Sequence, residues 1–381
     1  MAKKVYFNSL DGLRTLSFFI VFVSHAFSKI LVESLSSGKS DFLINLLRAI
    51  FRSGEEGVSI FFVISGFLIT YLILQEEKNN NSISLKYFYI RRSLRIWPLF
   101  YLIIIFSLFI YPFLMNIVGI SHNQNGSVWM NLFFLNNFDL LNLVQSNNIG
   151  FNPHLQITWS VAIEEQFYIF WPILFLIVKK INLRLILFPG LLLLNFLFRL
   201  YNFDQPSINY FHTFSVIGDM ILGGWMAYLI FIFTGIKKFF LNLGNTYRLV
   251  IYLLIILLFF NRYSIFINEN LNFTVRYIMI LCYVFVVTDQ CLNRNNFLKF
   301  SNLKLITKLG KYTYGLYLIH PISILFVKHL LDYNGYSYKT NWSVALILFM
   351  VSLGLTLFFS FLSYRYFESY FLKIKKTYSK T

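Results

Sequence analysis

An arginine and a histidine on the first apolar segment are the first residues whose types and spacing suggest chemistry. Arg14 and His25 are eleven residues apart, close to three helical turns, so both would project from one helix face about 16 Å apart. The arginine suits an anionic group, and the histidine suits a reactive group deeper in the membrane, because an imidazole changes charge near neutral pH. A snorkelling arginine and a hydrogen-bonded core histidine would give the same pattern, and the spacing alone leaves both interpretations open.

Two adjacent acids and two nearby arginines form a second set of candidates. Glu164 and Glu165 lie in an apolar segment, where ionisable groups usually face a cavity or a partner. Neighbouring helical residues point about 100° apart, so at most one glutamate would face a cavity centre, where it could orient His25. A structural pair bonded to backbone or to arginine is the alternative. Arg92 and Arg95 are i,i+3 neighbours that can grip phosphates bidentately, or can simply anchor the chain at the membrane surface.

Four further residues on apolar segments are candidates for substrate contact: Ser65, Tyr314, Tyr317 and His320. The two tyrosines could line a tunnel, although core packing explains them equally well. Small residues allow close approach of membrane helices, and packing is the favoured interpretation for Gly57, Ser65 and Gly66. The remaining histidines show no metal-like spacing, so no metal site is predicted.

The composition places all these residues in a membrane protein. The chain has 381 residues, of which 57% are hydrophobic and 13% charged, about half the charged fraction of a soluble domain. A net charge of +17 could suggest nucleic acid, but the basic residues form short clusters between apolar runs, a pattern that sets membrane topology. Cys282 and Cys291 provide neither a disulfide framework nor a zinc spacing. The prediction is an all-α, polytopic membrane protein.

Ten apolar stretches are near the length needed to span a bilayer, and eight or eleven spans remain alternatives. They are 10–32, 56–75, 96–118, 159–178, 185–199, 211–233, 249–261, 273–289, 312–331 and 342–366. The segment 127–144 is apolar but interrupted by asparagines, which favours an interfacial or re-entrant segment. If the N-terminus is cytosolic, most of the 33 Lys and Arg residues fall on the inner side, whereas 119–158 contains none. The distribution predicts ten spans with both termini in the cytosol.

Several of these segments together resemble the acyltransferase 3 family of bacterial integral-membrane O-acyltransferases. The resemblance is carried by Leu-Asp-Gly-Leu-Arg14 with His25, Gly-Val-Ser-Ile-Phe-Phe-Val-Ile-Ser-Gly-Phe from Gly57, the pair Arg92 and Arg95, Trp-Ser-Val-Ala-Ile-Glu-Glu-Gln-Phe-Tyr from Trp159, and Tyr-Gly-Leu-Tyr-Leu-Ile-His-Pro ending at Pro321. They follow the family order between residues 8 and 321, and the ordered combination is more specific than any one motif.

The resemblance implies a single transmembrane acyltransferase domain over residues 1–381 in the bacterial inner membrane. The implied enzyme moves an acyl group, usually acetyl, from cytosolic acyl-CoA to a hydroxyl of an extracytoplasmic glycan, such as the O-antigen of lipopolysaccharide, an exopolysaccharide or peptidoglycan. Acetyl-CoA is then the donor substrate, and no permanently bound cofactor is expected. Some relatives carry a fused extracytoplasmic esterase-like domain; the sequence shows none, which favours direct transfer or a separate periplasmic partner.

The resemblance also suggests roles for the candidate residues. It supports donor binding by Arg14, Arg92 and Arg95 and general-base catalysis by His25. In the mechanism that we expect, Glu164 or Glu165 orients the imidazole. A transient acyl-histidine is the alternative mechanism. Contacts to the substrate are expected from the four polar residues named above.

Two other classes of function remain alternatives. A secondary transporter would use Arg14, Glu164 and Asp219 as a proton and substrate pathway. An assembly subunit of a glycan-export complex would carry out no chemistry. Only the enzyme requires a hydrolysable acyl-CoA. The sequence identifies neither the acceptor sugar and its hydroxyl nor the acyl chain.

Overall fold

The computed structural model describes residues 7–36, 47, 49–117, 126–147, 152, 154–265, 269–293 and 298–378, and in these parts of the chain all regular structure is helical. The α-helices are α1 (Asn8–Ser36), α2 (Gly54–Asn80), α3 (Leu85–Ile105), α4 (Tyr111–Ile117), α5 (Val128–Leu132), α6 (Asn136–Gln145), α7 (Thr158–Ile177), α8 (Ile181–Tyr201), α9 (Pro206–Phe211), α10 (Thr213–Val216), α11 (Gly218–Ile232), α12 (Thr234–Asn242), α13 (Asn245–Ile265), α14 (Glu269–Leu292), α15 (Lys304–Leu309), α16 (Thr313–Tyr333), α17 (Trp342–Ser363) and α18 (Ser369–Thr377). A π-helical turn, Phe106–Ile110, joins α3 to α4, and a second, Tyr364–Glu368, joins α17 to α18.

The number of long apolar helices agrees with the prediction of about ten spans. Among the described residues, nine helical stretches are long and apolar enough to cross a membrane, and there are ten if α11 and α12, bent by 99° at a break, form one span. The observed helices often extend beyond the apolar runs: α3 begins at Leu85, well before the predicted span 96–118. Lys and Arg are good helix formers, so a basic segment continues a helix although it lowers the local hydropathy.

The segment predicted to be interfacial or re-entrant forms the two short helices α5 and α6, and neither is long enough to cross a bilayer. Asp139 accepts hydrogen bonds from the Ser127 backbone N–H at 3.0 Å and from Asn131 at 3.1 Å. Partial burial raises the pKa of the Asp139 carboxyl. The polar residues that interrupt the apolar pattern therefore hold the turn between these helices.

Four ion pairs between different helices of the described residues agree with the predicted alternation of the spans. Each joins two residues at the same predicted side of the membrane: Glu76–Arg91, Glu77–Arg184, Arg248–Asp289 and Glu56–Arg262. Arg248 Nε lies 2.8 Å from Asp289 Oδ1, and both side chains are almost fully buried. The side that faces the cytosol remains a prediction.

The chain divides into two compact units by its internal contacts. Unit 1 comprises Met1–Leu74 with Leu222–Leu357, and unit 2 comprises Gln75–Ile221 with Phe358–Thr381. The earlier description as a single domain stays a prediction.

Unit 1 has a core in which the aromatic side chains of α1 pack among residues of α16 and α17. Phe18, Phe22 and Leu316 are fully buried there. Gly57 of α2 lies so close to α1 that an added Cβ would be 2.7 Å from the Ser17 carbonyl oxygen. The close approach supports the packing interpretation of this glycine.

The start of α1 packs against the segment that precedes α16. An added Cβ at Gly12 would lie 2.8 Å from the Cβ of Phe300, and the Thr15 hydroxyl donates to the Ile306 carbonyl at 2.9 Å. Packing therefore accounts for the glycine of the Leu-Asp-Gly-Leu-Arg motif, and it fixes the helical turn that carries Arg14.

Unit 2 joins α5 and α6 to the helix that carries the two adjacent glutamates. Gln166 of α7 donates to the Phe134 carbonyl at 2.8 Å and to Asn137 Oδ1 at 2.9 Å. Asn137 also donates to the Thr213 hydroxyl at 3.0 Å. A continuous amide network thus holds the loop helices against α7.

Candidate active site

The structure brings together two histidines that lie almost 300 residues apart in sequence. His25 of α1 and His320 of α16 share a hydrogen bond of 2.9 Å between Nδ1 of His25 and Nε2 of His320. Their rings are stacked with centroids 5.1 Å apart and an interplanar angle of 21°. His320 is fully buried and His25 only partly buried. Two predicted site residues therefore form one pair, in which His25 is the more exposed member.

The far nitrogen of His320 bonds to backbone. Its Nδ1 lies 2.7 Å from the carbonyl oxygen of Tyr317, one helical turn earlier. The rings of Phe18 and Phe22 meet the His320 ring edge-on at 5.9 and 6.1 Å. Both phenylalanines were missed as site residues, although they precede His25 by seven and three residues and so share its helix face.

A lysine on α16 also belongs to the surroundings of His25. Lys328 lies close enough for its charge to act on the imidazole, and its Nζ lies 5.7 Å from the centroid of the Tyr338 ring. Burial and the Asp332 carboxyl raise the pKa of Tyr338 to about 12, so this hydroxyl keeps its proton. Lys328 was missed, and its signal was the spacing of eight residues from His320.

The other predicted substrate contacts lie in unit 1. Tyr317 is buried, and its ring lies 5.8 Å from the His320 ring and 5.7 Å from the Phe61 ring. Ser65 lies on α2 and Tyr314 on α16, and both are partly exposed. The structure thus brings Tyr317 against the histidine pair, and contact of these residues with substrate stays a prediction.

Arg14 lies on the same uninterrupted helix as His25. This agrees with the prediction, drawn from their spacing of eleven residues, that both belong to one helix. Its guanidinium NH1 is 2.9 Å from Asp11 Oδ1, and the side chain is 21% exposed. A guanidinium has five N–H donors, and the contact with Asp11 uses one of them. Binding of the donor by Arg14 stays a prediction.

Unit 2 holds the other predicted donor-binding residues. The Arg92 guanidinium lies over the rings of Tyr168 and Phe88, at 5.4 and 5.8 Å from their centroids. The Tyr168 hydroxyl donates to Glu164, and the Glu164 charge acts on Arg92. Arg92, Tyr168 and Glu164 therefore form one cluster. The sequence motifs predicted different functions for the arginine and the glutamate and gave no sign of this contact.

The remaining arginines of this segment have different partners. Arg91 pairs with Glu76 at 2.8 Å and donates to the Tyr378 carbonyl at 3.2 Å, which gives it a structural role. Arg95 lies where its charge acts on Glu368. The structure thus separates Arg91 from the two arginines predicted to bind phosphate.

The second glutamate is buried and differently partnered. Glu165 is 4% exposed and accepts a hydrogen bond from the Trp97 indole N–H at 2.9 Å through Oε2. Within the described residues its Oε1 is buried without a hydrogen-bond partner. The two glutamates thus turn to different partners.

Nδ1 of His25 is bonded to an imidazole, where the sequence analysis expected a carboxylate. The predicted pairing of a glutamate with His25 joins residues of different units and stays a prediction.

Comparison with known proteins identifies the family to which the chain belongs. A family model described as an acyltransferase domain matches residues 7–364. The chain belongs to the acyltransferase 3 family. The match confirms the resemblance drawn from the motifs, and the candidate residues Arg14, His25, the two glutamates and His320 all lie within it.

Curated relatives of this acyltransferase 3 chain are named as O-acetyltransferases. The peptidoglycan O-acetyltransferase OatA of Listeria monocytogenes is 29% identical over 346 residues, which cover 84% of this chain and 50% of the relative. A putative O-acetyltransferase of Staphylococcus aureus is 27% identical over 394 residues, 97% of this chain and 58% of the relative. A putative peptidoglycan O-acetyltransferase of Bacillus subtilis is 38% identical over 129 residues, 33% of this chain and 20% of the relative.

The acyltransferase 3 chain spans about half the length of the first two of these relatives. No solved structure matches it significantly.

Proposed function

We propose that this protein transfers an acyl group, acetyl in the first instance, from acyl-CoA to a hydroxyl of a cell-wall glycan. Membership of the acyltransferase 3 family supports the reaction class, and the names of two relatives favour peptidoglycan as the acceptor among the glycans considered. The observation that carries the proposal is the partly exposed His25, held by His320, on the same helix as Arg14.

The chemistry proposed for His25 is general-base catalysis. Its imidazole removes the proton of the acceptor hydroxyl as the hydroxyl oxygen attacks the thioester carbonyl carbon. The C–O ester bond forms, the C–S bond breaks, and the proton held by His25 passes to the departing thiolate to give CoA. No oxidant or additional reactant is needed.

The donor is proposed to be held by the arginines. Arg14 lies about 16 Å from His25 along α1, so an anionic nucleotide and a thioester joined by an extended arm would occupy separate ends of one helix. The Arg92 guanidinium rests on two aromatic faces, which leaves its planar N–H edge for a phosphate. Arg95, three residues on, is proposed to bind the same phosphates.

The sidedness proposed for the reaction follows the positive-inside distribution. The donor enters from the cytosol and the acceptor from outside, so the protein is a multi-pass protein of the bacterial cytoplasmic membrane. Direct transfer to the glycan and relay through a separate extracytoplasmic partner both fit this arrangement.

The test uses the full chain in liposomes with soluble peptidoglycan fragments. Acetyl-CoA supplied on one side should give acetylated fragments detected by mass spectrometry, whereas a non-hydrolysable thioether analogue should give none. Equal product with donor on either side of an oriented preparation would contradict the sidedness. Movement of substrate without acetyl-CoA would favour the transporter, and the absence of acetylated product with any glycan would remove the proposal.

A further inference from the structure

We infer that His320 is a positioning residue that holds His25 as its Nδ1–H tautomer, so that the lone pair of His25 Nε2 is presented for proton abstraction. The inference deepens the proposed function and rests on the role proposed there for His25. It replaces the predicted substrate-binding role of His320 with a role exerted through another side chain.

A proline beside His320 changes the backbone hydrogen bonding of α16. Pro321 lies inside α16 and has no backbone N–H, whereas the residue at this position of a helix normally donates to the carbonyl four residues earlier. That carbonyl belongs to Tyr317, so it lacks its usual helical donor. His320 Nδ1 lies 2.7 Å from the same oxygen and takes the place of the missing N–H.

The contact with the Tyr317 carbonyl places the proton of His320 on Nδ1. A carbonyl oxygen only accepts hydrogen bonds, so the short contact with Tyr317 requires a proton on His320 Nδ1. The ring is fully buried, and an ionised group there would lose its hydration, which favours the neutral imidazole. A neutral ring with its proton on Nδ1 has a lone pair on Nε2.

The tautomer of His320 determines the tautomer of His25 through the bond between the two rings. Its Nδ1 lies 2.9 Å from His320 Nε2, and since that nitrogen offers a lone pair, His25 Nδ1 must be the donor. The neutral His25 ring then has an unprotonated Nε2. The chain of bonds from carbonyl to His320 to His25 fixes both the tautomer and the orientation of the ring, as the buried acid does in a serine-protease triad, but without a formal charge.

The surroundings of the pair fit this assignment. Phe18 and Phe22 pack edge-on against the His320 ring, which restricts its rotation. The near-parallel stacking of the two imidazoles further restricts the His25 ring.

The direct test is ¹⁵N NMR of the full chain in micelles with ¹⁵N-labelled histidine rings. The chain has 6 histidines, and a His25→Gln variant identifies the signals of His25 by their loss. The expected result is a protonated Nδ1 and a bare Nε2 on His25, with a shift toward the Nε2–H tautomer in His320→Leu. A bare Nδ1 on His25 in the wild-type protein would overturn the inference.

Kinetics of two His320 variants provide the second measurement. An amide can accept from His25 through its oxygen and donate to the Tyr317 carbonyl through its nitrogen, so His320→Gln should retain most of the turnover. His320→Leu can do neither, and its kcat should fall by about 10- to 100-fold, the usual cost of losing an orienting partner, while KM for acyl-CoA stays near the wild-type value. Equal loss in both variants, or a loss expressed only in KM, would contradict a positioning role.

The two measurements separate the failure of the inference from the failure of the proposed function. If His25→Gln abolishes transfer but wild-type His25 is the Nε2–H tautomer, the proposed function stands and the role of His320 falls. If the tautomer is as expected but His25→Gln still acetylates glycan, the proposed role of His25 as the base is wrong. The positioning role of His320 is then wrong as well, because it depends on that base. The tautomer is read from wild-type protein, so a His320 variant that misfolds still leaves a decisive result.

Discussion

The two units hold their candidate residues in opposite ways. In unit 1, the groups bonded to the two histidines are uncharged, an imidazole for His25 and a carbonyl for His320, and aromatic rings pack against the pair. The charge nearby is that of Lys328. In unit 2, Arg92 and Glu164 share a cluster in which opposite charges and the Tyr168 ring stabilise each other. A base needs a lone pair, which uncharged hydrogen-bond partners preserve, whereas a site for anions needs a fixed cation. The difference matches the roles proposed for the two sets of residues.

The largest expected effect is the loss of His25. His25→Ala should lower acyl transfer by roughly 10²- to 10⁴-fold, because general-base catalysis contributes about that factor. Binding of acyl-CoA should change little, since the base lies about 16 Å along the helix from Arg14. Calorimetry for the donor and mass spectrometry of the glycan, on the same purified protein, measure the two properties.

His329 provides the control for this variant, because it lies on the same helix as His320 but outside the pair. His329→Ala should leave transfer unchanged. A His25→Ala protein that acetylates at near the wild-type rate would end the assignment of the base.

The next effect distinguishes the two adjacent glutamates. Glu165→Gln removes a buried carboxylate whose Oε1 has no partner among the described residues, yet the amide can still accept from Trp97. If Glu165 were only structural, the neutral amide would be tolerated or would increase stability, because a buried ionised group is costly. We expect instead a loss of transfer rate of about 10²-fold, as for a carboxyl that takes part in general acid–base catalysis or orients the base, while thermal stability stays the same or rises.

Glu164→Gln is the matched variant, because its side chain is tied to Tyr168 and lies near Arg92. Its rate should fall far less than that of Glu165→Gln. Equal rates for the two variants would show that their different surroundings have no functional meaning.

The sequence predicted the fold better than the details of the site. Ten apolar stretches predicted nine or ten spans, because the bilayer imposes length and apolarity on each helix separately. The helix-face argument placed Arg14 and His25 on one helix, which is local information. It could not reveal that His320 is the partner of His25, because that contact joins residues 295 positions apart and depends on how α1 and α16 pack.

The cluster in unit 2 shows a second limit of the sequence. Arg92 and Glu164 were assigned to donor binding and to catalysis, and each motif supported its own assignment. Tyr168 joins them in space, although it follows Glu164 by four residues and so lies on the same helix face. The spacing predicts that Glu164 and Tyr168 are neighbours on α7. It cannot predict that Arg92 of α3 packs against Tyr168.

The third prediction concerns the arginines of unit 2. Arg92→Ala should weaken acyl-CoA binding by about 1.5–3 kcal/mol, the range for a charged hydrogen bond, which is roughly 10- to 150-fold in Kd. Arg92→Lys should behave similarly, since an ammonium can neither stack on Tyr168 nor offer a planar fork to phosphate. Calorimetry with acyl-CoA in detergent measures both variants.

Arg91→Ala is the control, because Arg91 is occupied by Glu76 and by the Tyr378 carbonyl. It should bind the donor like the wild-type protein. If Arg91→Ala and Arg92→Ala weaken binding equally, the segment acts only through its overall charge, and the contrast between the two units disappears.

The smallest expected effect tests the carbonyl that supports His320. Pro321→Ala restores an N–H that can donate to the Tyr317 carbonyl, but a carbonyl has two lone pairs and can accept from the new N–H and from His320 together. The bond to His320 is therefore weakened and not lost, so kcat should fall by less than in His320→Leu. Removing a proline from a helix interior normally stabilises the helix by up to about 3 kcal/mol, so the melting temperature should stay the same or rise.

Pro189→Ala is the control, because Pro189 lies at an exposed position inside α8 of unit 2. Its melting temperature should also stay the same or rise, with no change in kcat. A fall in rate that appears only at Pro321, together with retained stability, would show that unit 1 uses the break in its helix to hold the base, whereas equal rates in the two variants would show that Pro321 serves packing alone.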